Sequence, residues 1–126
     1  MKKTIVTKEA PAAIGPYAQA YLAHETLYVS GQIPFIASTM ELVSEDIKKQ
    51  TQQSLHNIEA IVKEAGFSIT DIVKCQVFLR DMNDFAAVNE VYAAFFKDHT
   101  PARVAVQVSR LPKDVGVEID AICVKG

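Results

Sequence analysis

The chain has no long hydrophobic run: its apolar stretches are only a few residues each, far short of the roughly 20 needed to cross a bilayer. Lys2, Lys3 and Lys8 near the start are followed by no apolar region of the kind an export signal carries. Neither membrane insertion nor export is expected. Basic excess is also missing, with 13 Lys and Arg against 15 Asp and Glu and a net charge of -2. Phosphate binding needs a clustered cationic surface, so nucleic acid is not expected as the partner. Cysteine is scarce: Cys75 and Cys123 both fall in the apolar phase of strand-like runs, which fits buried free thiols in a reducing cytoplasm and gives no disulfide framework. The three histidines, His24, His56 and His99, are far apart and none has metal-ligand spacing to another His, Cys or carboxylate, so no metal is expected.

What is present is core-forming material. A chain of 126 residues with 49% hydrophobic content is read as one domain, residues 1–126. Lys3 to Thr7 reads as a short strand, and the Pro11, Gly15 and Pro16 region as a loop that delivers Tyr17 to a hairpin of Tyr17–Leu22 and Thr26–Gly31. Ser44 is placed to cap a helix with Glu45 and Asp46 in its first turn. Its stripe is Ile47, Thr51, Leu55, Ile58, Val62 and Ala65, and Gly66 ends it. Thr70 to Arg80 alternates as a strand. Asn83 or Asp84 then starts a second helix with Phe85, Val88, Tyr92, Phe95 and Phe96 as its apolar stripe.

The stretch from Thr100 to Val124 places a charged pair within apolar strands. Val104, Val106 and Val108 share one face, opposite Arg103, Ala105, Gln107 and Ser109. In the next run Val117, Ile119, Ala121 and Cys123 oppose Glu118 and Asp120. If the two runs are antiparallel neighbours, Arg103 meets Glu118. Such an arginine is either a preorganised fork for a planar anion or half of a structural ion pair, and on spacing alone the ion pair is the commoner outcome. The whole reads as α+β, a six-stranded mixed sheet with two helices on one face. The uncovered face is expected to show Phe78, Ala105, Ile122 and Val124 among Gln76, Arg80 and Gln107, and to be buried in a homo-oligomer.

Four motifs carry a likeness to a known family: APAAIGPYAQA from Ala10 to Ala20, VSGQIP from Val29 to Pro34, DMNDFAAVNEVY from Asp81 to Tyr92, and PARVAVQVSRLPKDVGVEIDAI from Pro101 to Ile122. Along essentially its whole length the sequence resembles the RidA/YjgF imine deaminase family. The resemblance implies a chorismate-mutase-like fold of the bacillus type, a homotrimer with its clefts between subunits, and no cofactor. It implies hydrolysis of short 2-imino acids, released by pyridoxal phosphate enzymes, to 2-oxo acids and ammonia. The same resemblance assigns the substrate carboxylate to Arg103 and the water to Glu118, with backbone groups from Arg103 to Ala105 completing the cradle. Tyr17, Ser30, Gly31 and Asn89 match positions lining the cleft, Tyr17 packing on the ligand and Gly31 allowing close backbone approach. Read without the family, Tyr17 is a half-buried strand aromatic, Ser30 and Gly31 a strand end, Asn89 a helix surface residue, and Asp120 a solvated or interface carboxylate. Ala105 stands where many family members have cysteine, and Gln107 where many have glutamate. The rival function is a non-catalytic module that binds 2-oxo or amino acids and regulates a metabolic partner. A ribonuclease or translation-inhibitor role fits poorly with an acidic chain lacking a basic stripe.

Overall fold

The computed structural model describes residues 1–126. Eight elements follow in order: β1 (Lys2–Ile5), β2 (Ala20–Ala23), β3 (Thr26–Gln32), α1 (Ile47–Glu64), β4 (Ile72–Leu79), α2 (Phe85–Phe96), β5 (Ala102–Gln107) and β6 (Val117–Val124). The strands form one mixed sheet in the order β1-β2-β3-β6-β4-β5, with only the β4–β5 pair parallel. Both helices lie on one face, as expected, and the core between them and the sheet includes Leu27, Leu55, Ile58, Ile61, Ile72, Leu79 and Ile119.

The two C-terminal strands are not neighbours. β5 runs parallel to β4, as a strand-helix-strand unit through α2 must, and β6 returns between β3 and β4. Burial accounts for the order: β6 buries Val117, Ile119, Ala121 and Cys123 and takes a central place, whereas Val104 and Val106 of β5 are 40% and 39% exposed at the sheet edge. Parallel register sets Cys75 beside Arg103 and Val77 beside Ala105, so Arg103 and Ala105 face the helices. This corrects the expected uncovered face, which carries Val104 and Val106 in place of Ala105 and Gln107. Direct neighbours cross that face in two rows: Tyr21, Tyr28, Ile122 and Lys74, then Glu118, Phe78 and Val106.

The ends of several elements differ from those the sequence leads one to expect. Asp46, not Ser44, caps α1, its Oδ2 accepting from Lys49 N at 3.0 Å, while Ser44 Oγ accepts from Asp46 N. Glu45 and Asp46 therefore precede the first turn. Gly66, with φ of +82°, ends the helix in the left-handed conformation that favours glycine. Asp84 directly precedes α2 without a side-chain cap, because Met82–Asp84 form a 3₁₀ turn capped by Asp81 Oδ1 on Asn83 N. β1 stops at Ile5 and β2 begins at Ala20, so Thr7 and Tyr17 lie outside strands.

Candidate functional site

The residues singled out in the sequence fall into two groups on opposite sides of the sheet. Arg103 projects from β5 toward α2. Its Nη1 donates to Asn89 Oδ1 at 2.6 Å, and it makes no ion pair within the chain. Ala105 follows on the same face, packed against the core. Glu118 lies on the other face, next to Phe78 of β4. The expected Arg103–Glu118 contact is therefore absent, because β4 separates their strands and their side chains point apart.

The second group surrounds a cleft of about 410 Å³, lined by Ile14, Tyr17, Ser30, Gly31, Ile33, Pro112 and Glu118. Three local features build it. β3 is irregular between Val29 and Gln32, and the Glu118 side chain lies across Gly31 so closely that a Cβ there would meet the carboxylate, with Cδ at 2.9 Å. The glycine is thus required by the chain's own carboxylate. Ser30 Oγ donates to Ala18 O at 2.7 Å and Ser30 N to Gln19 O at 3.0 Å, tying the Tyr17 segment to β3. Tyr17, nearly half exposed, borders the cleft, and its N–H donates to Gly15 O at 2.9 Å.

Burial is the first cause that raises the Glu118 pKa above its ordinary value, and the nearby Asp120 carboxylate adds to it. Asp120 is also raised, by burial, although it accepts from Gln76 N at 3.0 Å and feels Lys74. A half-buried carboxylate with raised proton affinity beside an open cleft is suited to taking a proton from water. Arg103 supplies the complementary ability, a charged fork with free N–H groups for a planar anion. No group of three or more His, Cys, Asp or Glu is arranged to hold a metal ion. Cys75 and Cys123 are buried free thiols, pushed up to about 11 and about 12 by burial.

Several supporting residues escaped the sequence reading because they are polar residues buried by the fold. Gln19 bonds Thr7 N at 2.7 Å and the carbonyls of Thr7, Ala10 and Pro11, fixing the loop before Tyr17. Asn57 donates to the carbonyls of Ile33 and Phe35, setting the wall beyond Gly31. Gln50 accepts from Gly116 N at 2.8 Å and anchors the start of β6. Hydrophobic periodicity passes over such residues. The departure at 107 also acquires a role: Gln107 Oε1 accepts from Met82 N at 2.7 Å, holding the turn that leads into α2.

A model of the family described as Endoribonuclease L-PSP matches residues 7–125. The chain belongs to that family. Among its curated relatives, a RutC family protein of Pyrococcus horikoshii is 56% identical over 99% of both chains. The 2-iminobutanoate/2-iminopropanoate deaminase of Salmonella typhimurium is 52% identical, again over 99% of each. Two solved structures of Escherichia coli proteins extend the likeness to the fold. The YjgF gene product superposes with a TM-score of 0.94 at 51% identity, covering 98% of this chain and 99% of that one. TdcF with bound serine gives 0.95 at 49% identity with the same coverage. The RidA/YjgF resemblance read from the four motifs is thereby established, and with it the α+β fold of the family. No helix of this family member is long and apolar enough to cross a membrane.

Proposed function

We propose that this protein hydrolyses short 2-imino acids to 2-oxo acids and ammonia, in clefts where the Arg103 side of one subunit meets the Glu118 side of a neighbour in a homotrimer. The observation that carries the reading is the separation of an unpaired arginine and a proton-hungry carboxylate onto opposite faces of one sheet, in a chain about half identical to named imine deaminases. A charged fork without an intrachain counter-ion and a cleft with only one polar wall are each half of a site. Apposition of two chains completes them, and the half-apolar face of Tyr28, Phe78, Ile122, Val104 and Val106 gives such an apposition apolar area to bury.

In this scheme Arg103 holds the substrate carboxylate through two N–H groups, and backbone groups from Arg103 to Ala105 border the reacting carbon. The imine, protonated as an iminium, is already electrophilic, so the step needs a placed water more than a strong nucleophile and calls for no cofactor. Glu118 accepts a proton from that water as its oxygen bonds to the imine carbon. Glu118 then returns that proton to nitrogen, the C–N bond breaks to release ammonia, and the hydroxyl proton passes by way of Glu118 to the ammonia, leaving the 2-oxo acid and ammonium. Tyr17, Ile14, Ile33 and Pro112 form an apolar surround suited to a short aliphatic side chain. Ser30 and Gly31 shape the cleft by fixing Tyr17 and admitting Glu118. The physiological role that follows is removal of reactive imines leaked by pyridoxal phosphate enzymes in the cytoplasm.

The test supplies the imine with a threonine dehydratase and follows 2-oxobutanoate formation above the spontaneous rate. Arg103→Ala is expected to lose about a hundredfold or more of the acceleration, the scale of one charge-assisted bidentate contact of about 3 kcal/mol, while circular dichroism stays unchanged. Full activity in this variant would remove Arg103 from the mechanism. Wild-type protein that binds 2-oxobutanoate without accelerating hydrolysis would replace the deaminase by a ligand-sensing module.

A further inference from the structure

The Arg103 guanidinium is enclosed by one face of α2. Phe85, Asn89 and Tyr92 recur at spacings of four and three and so project from the same side of the helix. Cζ of Arg103 lies 5.4 Å from the centroid of the Phe85 ring and 4.9 Å from that of Tyr92, and Nη1 donates to Asn89 Oδ1. Tyr92 is itself immobilised: it is buried and its ring packs on Phe96 at 4.7 Å. The enclosure contains two ring faces and one amide oxygen, and no carboxylate. A carboxylate partner would neutralise the arginine and compete with an incoming anion. Aromatic faces attract a cation through their quadrupole yet leave its charge uncancelled.

We infer that Phe85 and Tyr92 are positioning residues that hold the Arg103 guanidinium charged and in one orientation, so that a carboxylate ligand binds without first having to order a flexible side chain. The choice of 2-oxobutanoate as the carboxylate and the KM and kcat readouts rest on the deaminase reading; the clamp itself does not. Asn89 then acts on the ligand through Arg103, by fixing one edge of the fork and leaving the other N–H groups outward.

The deciding variant is Phe85→Leu, which keeps apolar volume and removes a ring face. Its affinity for 2-oxobutanoate, measured by calorimetry, is expected to fall about tenfold, with KM rising in step and kcat within about twofold of wild type, because the lost interaction is uniform binding. A second readout is independent of ligand. The Arg103 Nη–Hη resonances should be resolved in the wild type, where rotation about the guanidinium bonds is hindered, and should coalesce in the variant. Phe95→Leu on the same helix removes an aromatic ring that is not one of the two over the guanidinium and controls for general loosening of α2; it should leave both readouts as in wild type. Should Phe85→Leu not fold, pentafluorophenylalanine at position 85 keeps the ring's shape and reverses its face charge. Unchanged affinity, or unchanged resonances, in the Phe85 variant overturns the inference. Coalescence in a protein whose wild type binds no 2-oxobutanoate supports the clamp and overturns the deaminase reading instead.

Discussion

Glu118 has its proton affinity set by where the fold puts it. Burial comes first and the Asp120 charge second, and both favour the protonated form. The folded chain therefore holds this proton more tightly than the unfolded chain, and the associated stability is present below the ordinary carboxylate range and lost as pH rises through the raised value. Replacing Glu118 by Gln removes that dependence. The melting temperature of Glu118→Gln should exceed that of wild type at pH 7 and approach it as pH falls below about 4, and a difference independent of pH would contradict the assignment. Gly31 makes a second residue-scale prediction. A methyl at this position collides with the Glu118 carboxylate, so Gly31→Ala should displace the carboxylate and lower kcat by at least about tenfold. Its circular dichroism should match wild type, and a variant with normal kcat would show that Glu118 does not act from this position. Gly31 was a site candidate only through family likeness, whereas the strand pattern also picked out Glu118, as a partner for Arg103. Their mutual contact depends on a strand irregularity that no local pattern announces.

At the scale of elements, α2 supplies the surround of Arg103, and its start is secured from β5. Gln107 Oε1 on Met82 N joins the edge strand to the turn before α2. Gln107→Ala should cost about 1 kcal/mol in chemical denaturation, whereas Gln107→Glu keeps an acceptor in place and should cost less. Most elements were legible: both helices, the alternation of β4 and the apolar phase of β6 follow from periodicity alone. Helix starts were less so, since Ser44, Asp46, Asn83 and Asp84 are all competent caps by residue type and only the local backbone selects among them. The pairing of β5 with β6 was misread for a different reason. Two amphipathic strands joined by a short segment resemble a hairpin, and the preference of β6 for a central place, with one face fully buried, is a property of the whole sheet. The phase of β5 was misassigned with it, because valines alternating with Arg103, Ala105 and Gln107 present the more apolar side to a partner and the mixed side to the helices.

For the whole molecule, the proposed homotrimer, in which each cleft takes Arg103 from one chain and Glu118 from its neighbour, predicts complementation between defective chains. Arg103→Ala and Glu118→Gln homotrimers should each be inactive. After joint refolding in equal amounts, each mixed trimer holds one cleft with both groups intact, so about a quarter of wild-type activity should return. Failure of activity to return, with mixed trimers demonstrated by mass spectrometry, would place both groups in the same chain's site. The uncovered face was anticipated from a count of strands against helices, which leaves one side of a six-stranded sheet without cover. Its composition was only partly anticipated, because the register of β5 decides which residues it shows. Under the proposed mechanism, a chain that carries its anion grip on one side and its proton acceptor on the other is inert while alone. On this reading, catalytic output climbs more steeply than the amount of polypeptide made, and dilution alone is enough to silence it.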